Sequence, residues 1–180
     1  MLPLVIPERE FYNSQTKEFI HIKATTLSLE HSLISLSRWE AQYKKPFLDK
    51  KKKTVQETVD YIRCMTVTAN VDPNVYLAIT DEMVLMVENY IQDPMTATWF
   101  NDREERRFGS QTITSELIYY WMVELGIPFE CQKWHLNRLM TLIRVCTEKR
   151  KKPRKMGRRE QARSNAALNA ARRRAHNSRG

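Results

Sequence analysis

The sequence predicts a mainly α-helical protein: one helical domain with a short N-terminal β-hairpin, followed by a basic C-terminal tail that is partly disordered or helical only on a partner. Three observations carry this. Apolar residues recur every three to four positions through most of residues 28–149, capping and stop residues bracket those stretches, and the charge changes abruptly near Lys149. Of 180 residues, those from Lys149 to Gly180 include thirteen Lys or Arg and one acid, Glu160, a net of +12, whereas residues 1–148 have a net charge of −3. A core domain over 1–148 and a tail over 149–180 are therefore expected, the first long enough to bury a sizeable core.

At the N-terminus, Leu4, Ile6, Phe11, Phe19, Ile20 and Ile22 lie on either side of the polar cluster Asn13-Ser14-Gln15-Thr16-Lys17. This pattern predicts the hairpin, with Pro3 and Pro7 confining the first strand to an edge or lead-in role. From Ser28 the period lengthens: Leu29, Leu33, Leu36 and Trp39 predict an amphipathic helix over 28–43, followed by a charged linker at Lys50 to Lys53. Thr54-Val55-Gln56-Glu57 has the capping-box pattern, so a helix starts there, with Val55, Val59 and Ile62 expected as its buried stripe. Asp72-Pro73 falls in the next loop. Thr80 is the expected N-cap of a helix through Gln92, with Val84, Val87 and Ile91 inward and Asp93-Pro94 as its stop.

Residues 100–111 are polar, contain Gly109 and are expected to form an exposed, mobile loop. Thr114 or Ser115 then caps ELIYYWMVEL, which Gly126 ends. Because Leu117 to Val123 is apolar on every side, this helix is expected either at the centre of the core or partly covered by a second subunit. A last core helix is expected from Pro128 to about Lys149, with Leu136, Leu139, Met140, Leu142, Ile143 and Cys146 on its apolar arc and Lys133, Asn137, Thr141 and Arg144 opposite. In the tail, Ala162, Ala166 and Ala170 favour helix, yet an isolated helix of this length is marginal in water, so folding on a partner is expected.

The longest apolar run is seven residues, against the roughly 20 needed to cross a bilayer, so no membrane association is expected. The N-terminus has no signal-peptide pattern, which predicts an intracellular protein. Cys64, Cys131 and Cys146 are odd in number and widely spaced, so free buried thiols are expected. No Gly-rich phosphate loop is present, and His21, His31, His135 and His176 form no metal-ligand spacing; neither cofactor nor metal is expected. Cys131 and His135 stand at i and i+4 without a companion pair, and His135 is expected to be a hydrogen-bonded core histidine. Asp102, Glu104 and Glu105 alternate with Arg103, Arg106 and Arg107 in a polar loop, the pattern of solvated, self-compensating surface. No catalytic residue is assigned.

The candidate partner-binding residues are Trp134 and, in the tail, Arg158, Arg159, Arg163, Leu168, Arg172, Arg173 and Arg174. Trp134 projects from the polar side of its predicted helix as an interface anchor, the alternative being packing under the hairpin or the preceding loop. The tail has three readings: a segment that folds on an acidic protein surface, a nucleic-acid arm, or a solubilising extension. Having no Phe, Tyr or Trp, it offers nothing to stack on bases, so nucleic-acid binding would be nonspecific.

The run ITSELIYYWMVELGIPFECQKWHLNRLMTLIRVC, preceded by DPNVY, IQDPMTATWF and LSRWEAQYKKPFL, resembles tail assembly chaperones of long-tailed (siphovirus-type) bacteriophages, over nearly the whole chain. The resemblance implies a non-enzymatic protein of the host cytoplasm, absent from the mature virion. It would bind the tape measure protein and keep it soluble until tail-tube subunits assemble. Read from the residues alone, the over-apolar central helix invites self-association. Two alternatives stand beside it: a nucleic-acid-binding accessory protein using the basic tail, and a structural tail or connector component.

Overall fold

The computed structural model describes residues 1–14, 17–49, 51–100, 112–151 and 157–176. It is mainly α-helical, and the chain divides into two units, Met1–Thr147 and Glu148–Gly180.

The first unit opens with two antiparallel pairings, one nested inside the other. Strand β1 (Leu2–Ile6) pairs with β4 (Thr25–Leu29), and between them β2 (Arg9–Asn13) pairs with β3 (Glu18–Ile22). Pro7 has no N–H to give, and the ladder breaks there. Alternation sends Leu4 and Ile6 of β1 and Leu27 and Leu29 of β4 into the core and leaves Val5 outside. Leu29 therefore belongs to a strand. Helix α1 runs Leu33–Tyr43 and starts five residues later than the spacing predicts, behind an N-cap at Ser32. Leu29 fits both a two-residue and a four-residue period. The choice is made by residues 65–67: Glu30 N–H donates to the Met65 carbonyl (2.9 Å) and Val67 N–H to that of Ser28 (2.8 Å).

Helix α2 (Val55–Met65) carries the expected Thr54–Glu57 capping box, but its buried stripe differs. Val55, in the first turn, is 80 % exposed, while Glu57, Asp60, Tyr61, Ile62 and Met65 face inward. The two acids are buried because they are paired. Glu57 receives Lys45 Nζ (2.9 Å) and the Thr54 N–H (2.8 Å), and Asp60 receives the Tyr43 hydroxyl (2.6 Å). A 3₁₀ helix, Pro73–Ala78, leads to α3 (Asp81–Gln92), capped by Thr80 as expected. Val87 and Tyr90 are its buried residues, with Val84 and Ile91 half-buried. All but the first residue of the loop expected at 100–111 lies outside the described residues.

Helix α4 (Ser115–Leu125) is capped by Thr114 and ended by Gly126, whose φ of 68° is the left-handed value that favours glycine at a helix C-terminus. It is not the centre of the core. Ser115, Ile118 and Met122 form a single buried stripe, whereas Tyr120 and Val123 are 59 % and 65 % exposed. Trp121 is half-buried against the core. Trp121→Ala is therefore expected to cost about 1–3 kcal/mol in chemical denaturation, below the 3–5 kcal/mol typical of a fully buried aromatic; a loss above that range would mean that a second subunit covers the ring.

The single helix expected from Pro128 is two. A 3₁₀ helix, Phe129–Lys133, gives way to extended backbone at Trp134, and α5 runs Leu136–Arg150. The break has a tertiary cause, since His135 bridges to Ser32 and Leu136 N–H donates to the His31 carbonyl (2.7 Å). Leu136, Leu139 and Ile143 are buried as the periodicity predicts, and Met140, Leu142 and Cys146 are half-buried. All three cysteines are free thiols, Cys131 buried and Cys64 and Cys146 half-buried. The aromatic centre of the unit joins α1 to α2: Trp39 stacks on Tyr43 (centroids 4.6 Å apart) and Phe47 on Tyr61 (3.8 Å). The Trp39 indole N–H donates to the Glu57 carbonyl (2.9 Å).

In the second unit, α6 spans Arg158–Ala175. Among the described residues no helix is long and apolar enough to cross a membrane.

Candidate functional site

Most of the polar side chains buried in the first unit hold it together, the Ser115 hydroxyl being buried without a hydrogen-bond partner among the described residues. Glu40 accepts the Phe47 N–H at Oε1 and the Ser115 N–H at Oε2, each at 2.8 Å, so one carboxylate ties α1 to the following loop and to the first turn of α4. His135 is a hydrogen-bonded core histidine, as expected. Its Nε2 donates to the Tyr90 carbonyl (3.0 Å) and its Nδ1 accepts the Asn137 N–H (3.3 Å), which sets the tautomer. Asn137 was expected on the solvent side; instead its amide donates to the carbonyls of Ile91 (2.9 Å) and Asp93 (2.7 Å). The start of α5 thereby caps the C-terminus of α3.

His31 lies 5.1 Å from His135, ring centroid to centroid, and its Nδ1 shares a hydrogen bond with the Tyr61 hydroxyl (2.5 Å). Burial, and then the neighbouring His135 ring, pushes the His31 imidazole down to about 3. Burial also lowers His135 and raises Tyr61 and Tyr90. Two neutral imidazoles sealed among aromatic rings are suited to packing, having no open approach for a substrate. Among the described residues no three of His, Cys, Asp and Glu are grouped to hold a metal ion. A surface hollow of about 270 Å³ between Arg63, Thr66, Thr68, Val71, Pro73 and Tyr76 has its hydroxyls already in use, since Tyr76 donates to Thr66 and Thr68 accepts from the Ser28 N–H, both at 2.9 Å.

The candidate partner-binding residues fall into two groups, one in each unit. Trp134, in the extended link before α5, is half-buried against the core, with the Arg138 guanidinium 4.4 Å above its ring. It lies off any helical face, and its ring has partners within its own unit. The remaining seven positions all fall on α6. Arg159, Arg163, Arg172, Arg173 and Arg174 are exposed, Leu168 is 53 % exposed, and the Arg158 side chain lies outside the described residues. At 3.6 residues per turn Arg159, Arg163, Arg173 and Arg174 share one side, and the alanine row Ala162, Ala166 and Ala170 runs between them. Leu168, with Ala171 and Ala175, faces away from that side. None of the five described arginines forms an ion pair among the described residues.

Sequence reasoning missed the apolar side chains exposed on α3 (Leu85, Met86), in the segment that follows it (Trp99) and in the 3₁₀ helix after α4 (Phe129). The available signal was a surplus of apolar residues, more than one stripe of a short helix can bury. Comparison of the chain with known families, characterised proteins and solved structures gives no match.

Proposed function

We propose that the protein is a non-enzymatic tail assembly chaperone of a long-tailed bacteriophage. It binds the tape measure protein and keeps it soluble in the host cytoplasm while tail-tube subunits assemble, and is absent from the finished virion. The observation that carries this reading is α6, an exposed 18-residue helix with Leu168, Ala171 and Ala175 on one side and Arg159, Arg163, Arg173 and Arg174 on the other. A helix of about 27 Å with so little apolar area gains most by lying along another helix, and an elongated helical protein provides one. The sequence resemblance supplies the identity of that partner.

The test is co-expression with the tape measure protein of the same phage, followed by pull-down at 50 and 200 mM salt. Capture at both salt concentrations is expected, because the apolar part of a helix–helix contact is not screened. A second reading, nucleic-acid binding, is favoured by the exposed arginines of α6, which form no ion pair among the described residues. It predicts that titrated duplex DNA loses about 10³- to 10⁵-fold in affinity over the same interval, with no preference among sequences. Steep DNA binding combined with failure to solubilise the tape measure protein would replace the first reading by the second.

A further inference from the structure

The hairpin of β2 and β3 has an open side. The two strands pair only with each other, and among the described residues no further backbone group bonds to residues 9–13. In an antiparallel pair, alternate residues of β2 spend their N–H and C=O on β3, and the residues between them point those groups away from it. The 3₁₀ helix Pro73–Ala78 packs close to β3, so β2 is the open edge.

The two faces of the hairpin differ. Phe11 and Ile20 turn towards the core and are half-buried. Their neighbours Tyr12 and Phe19, directly opposite each other, are 57 % and 70 % exposed, with ring centroids 5.2 Å apart. On the same exposed face Glu10 lies opposite His21, and Glu8 reaches that ring too, the carboxylates standing 3.3 Å from Nδ1 and 3.1 Å from Nε2. One imidazole carries at most one positive charge, so two carboxylates keep this end of the face negative. A hairpin of two five-residue strands is marginal by itself, and a third strand adds what it lacks. Pro7 and the charges of Arg9 and Glu10 guard the edge against indiscriminate pairing, so a partner has to meet those charges.

We infer that the outer edge of β2 accepts an extended segment of another protein as a third strand. The unpaired backbone groups require a strand, and the exposed face selects its side chains: an aromatic or β-branched residue beside Tyr12 and, two positions along, a lysine or arginine beside Glu10. Strand β3 already shows the order that β2 accepts, with Phe19 against Tyr12, Ile20 against Phe11 and His21 against Glu10. A second copy of β2 fits less well. Antiparallel pairing centred on Phe11 would set Glu10 opposite Tyr12 twice and bring no cation to that face. The surface does not involve α6, and the inference does not rest on the chaperone reading.

The probe is an acetylated and amidated peptide, KEFIKIK, which reproduces residues 17–23 with lysine at the place of His21. A second peptide, KEFIEIK, carries glutamate there. Hydrogen exchange of the full chain, at peptide concentrations up to about 1 mM, the range of weak association, reads both site and affinity. KEFIKIK is expected to slow the outward amides of residues 9–13 at least tenfold while those of residues 18–22 stay protected, and KEFIEIK to bind at least tenfold more weakly. Glu10→Lys should invert that preference, and Tyr12→Ser should weaken both peptides at least threefold. Both positions are exposed, so folding should survive, as circular dichroism would check. The inference is overturned if neither peptide binds, if the two bind equally, or if Glu10→Lys leaves the preference unchanged. It is equally overturned if protection appears away from β2 or at the expense of β3. Outward amides already protected in the free protein, together with a dimer in ultracentrifugation, would give the edge to a second copy and overturn it as well.

Discussion

Glu40→Ala is expected to lower the unfolding free energy by about 3–5 kcal/mol, a large part of the 5–15 kcal/mol that holds a typical domain together. Glu40 is only 8 % exposed, and its two oxygens satisfy backbone N–H groups of Phe47 and Ser115 that are otherwise buried. Removing the carboxylate leaves both donors unpaired, and each such donor costs about 1–3 kcal/mol. The Ser115 N–H also opens α4, where negative charge is favourable. Glu40→Gln keeps one acceptor oxygen and should cost about half as much. Urea denaturation of the three proteins checks this order. A loss below about 1 kcal/mol for the alanine variant would show that water replaces the carboxylate and that the tie between α1 and α4 is not structural.

Acidification is expected to have a comparable effect through His31. The ring is neutral and buried in the folded chain, held down to about 3, while the unfolded chain protonates it near the ordinary 6.5. The folded value is therefore the lower one. Between those two values the unfolded state binds the proton and the folded state does not, so stability is lost as the pH falls through that window. The slope approaches about 1.4 kcal/mol per pH unit, or about 2–3 kcal/mol between pH 7 and pH 4.5. Carboxylates add their own acid dependence, so the measurement is the difference between the natural chain and His31→Gln, whose amide can donate to or accept from the Tyr61 hydroxyl. The natural chain should lose the extra 2–3 kcal/mol; parallel curves would mean that His31 takes up its proton in the folded state.

The legibility of the chain follows how far apart the interacting residues are. The Thr54–Glu57 box, the caps at Thr80 and Thr114, and the stop at Gly126 all appear where the sequence predicts them. Each is a contact within about four residues, so its partners can be read together. The hairpin is legible for the same reason, through alternation around a turn. His135 is legible as a core histidine because it falls on an apolar arc, but its acceptor, the Tyr90 carbonyl, is 45 residues away and could not be named. Of the candidate binding residues, those on α6 lie on one helix because they are close in sequence. Trp134 was placed on a helix that does not exist at that point.

Composition and local pattern determined by themselves that this protein is mainly helical, where α2, α3 and α4 begin and where α3 and α4 end, and that its net positive charge lies in the last 32 residues. Those properties depend on propensity, capping and charge, which act over a turn or less. Only the tertiary structure decided that Leu29 belongs to a strand, that the backbone leaves the helix at Trp134, that Glu40, Glu57 and Asp60 are inside while Val55 is outside, and that α4 buries one stripe and exposes Tyr120 and Val123. Each of these turns on a partner brought in from a distant part of the chain. A carboxylate is buried only if donors meet it, and an apolar side chain only if another surface covers it, so burial belongs to the assembled fold.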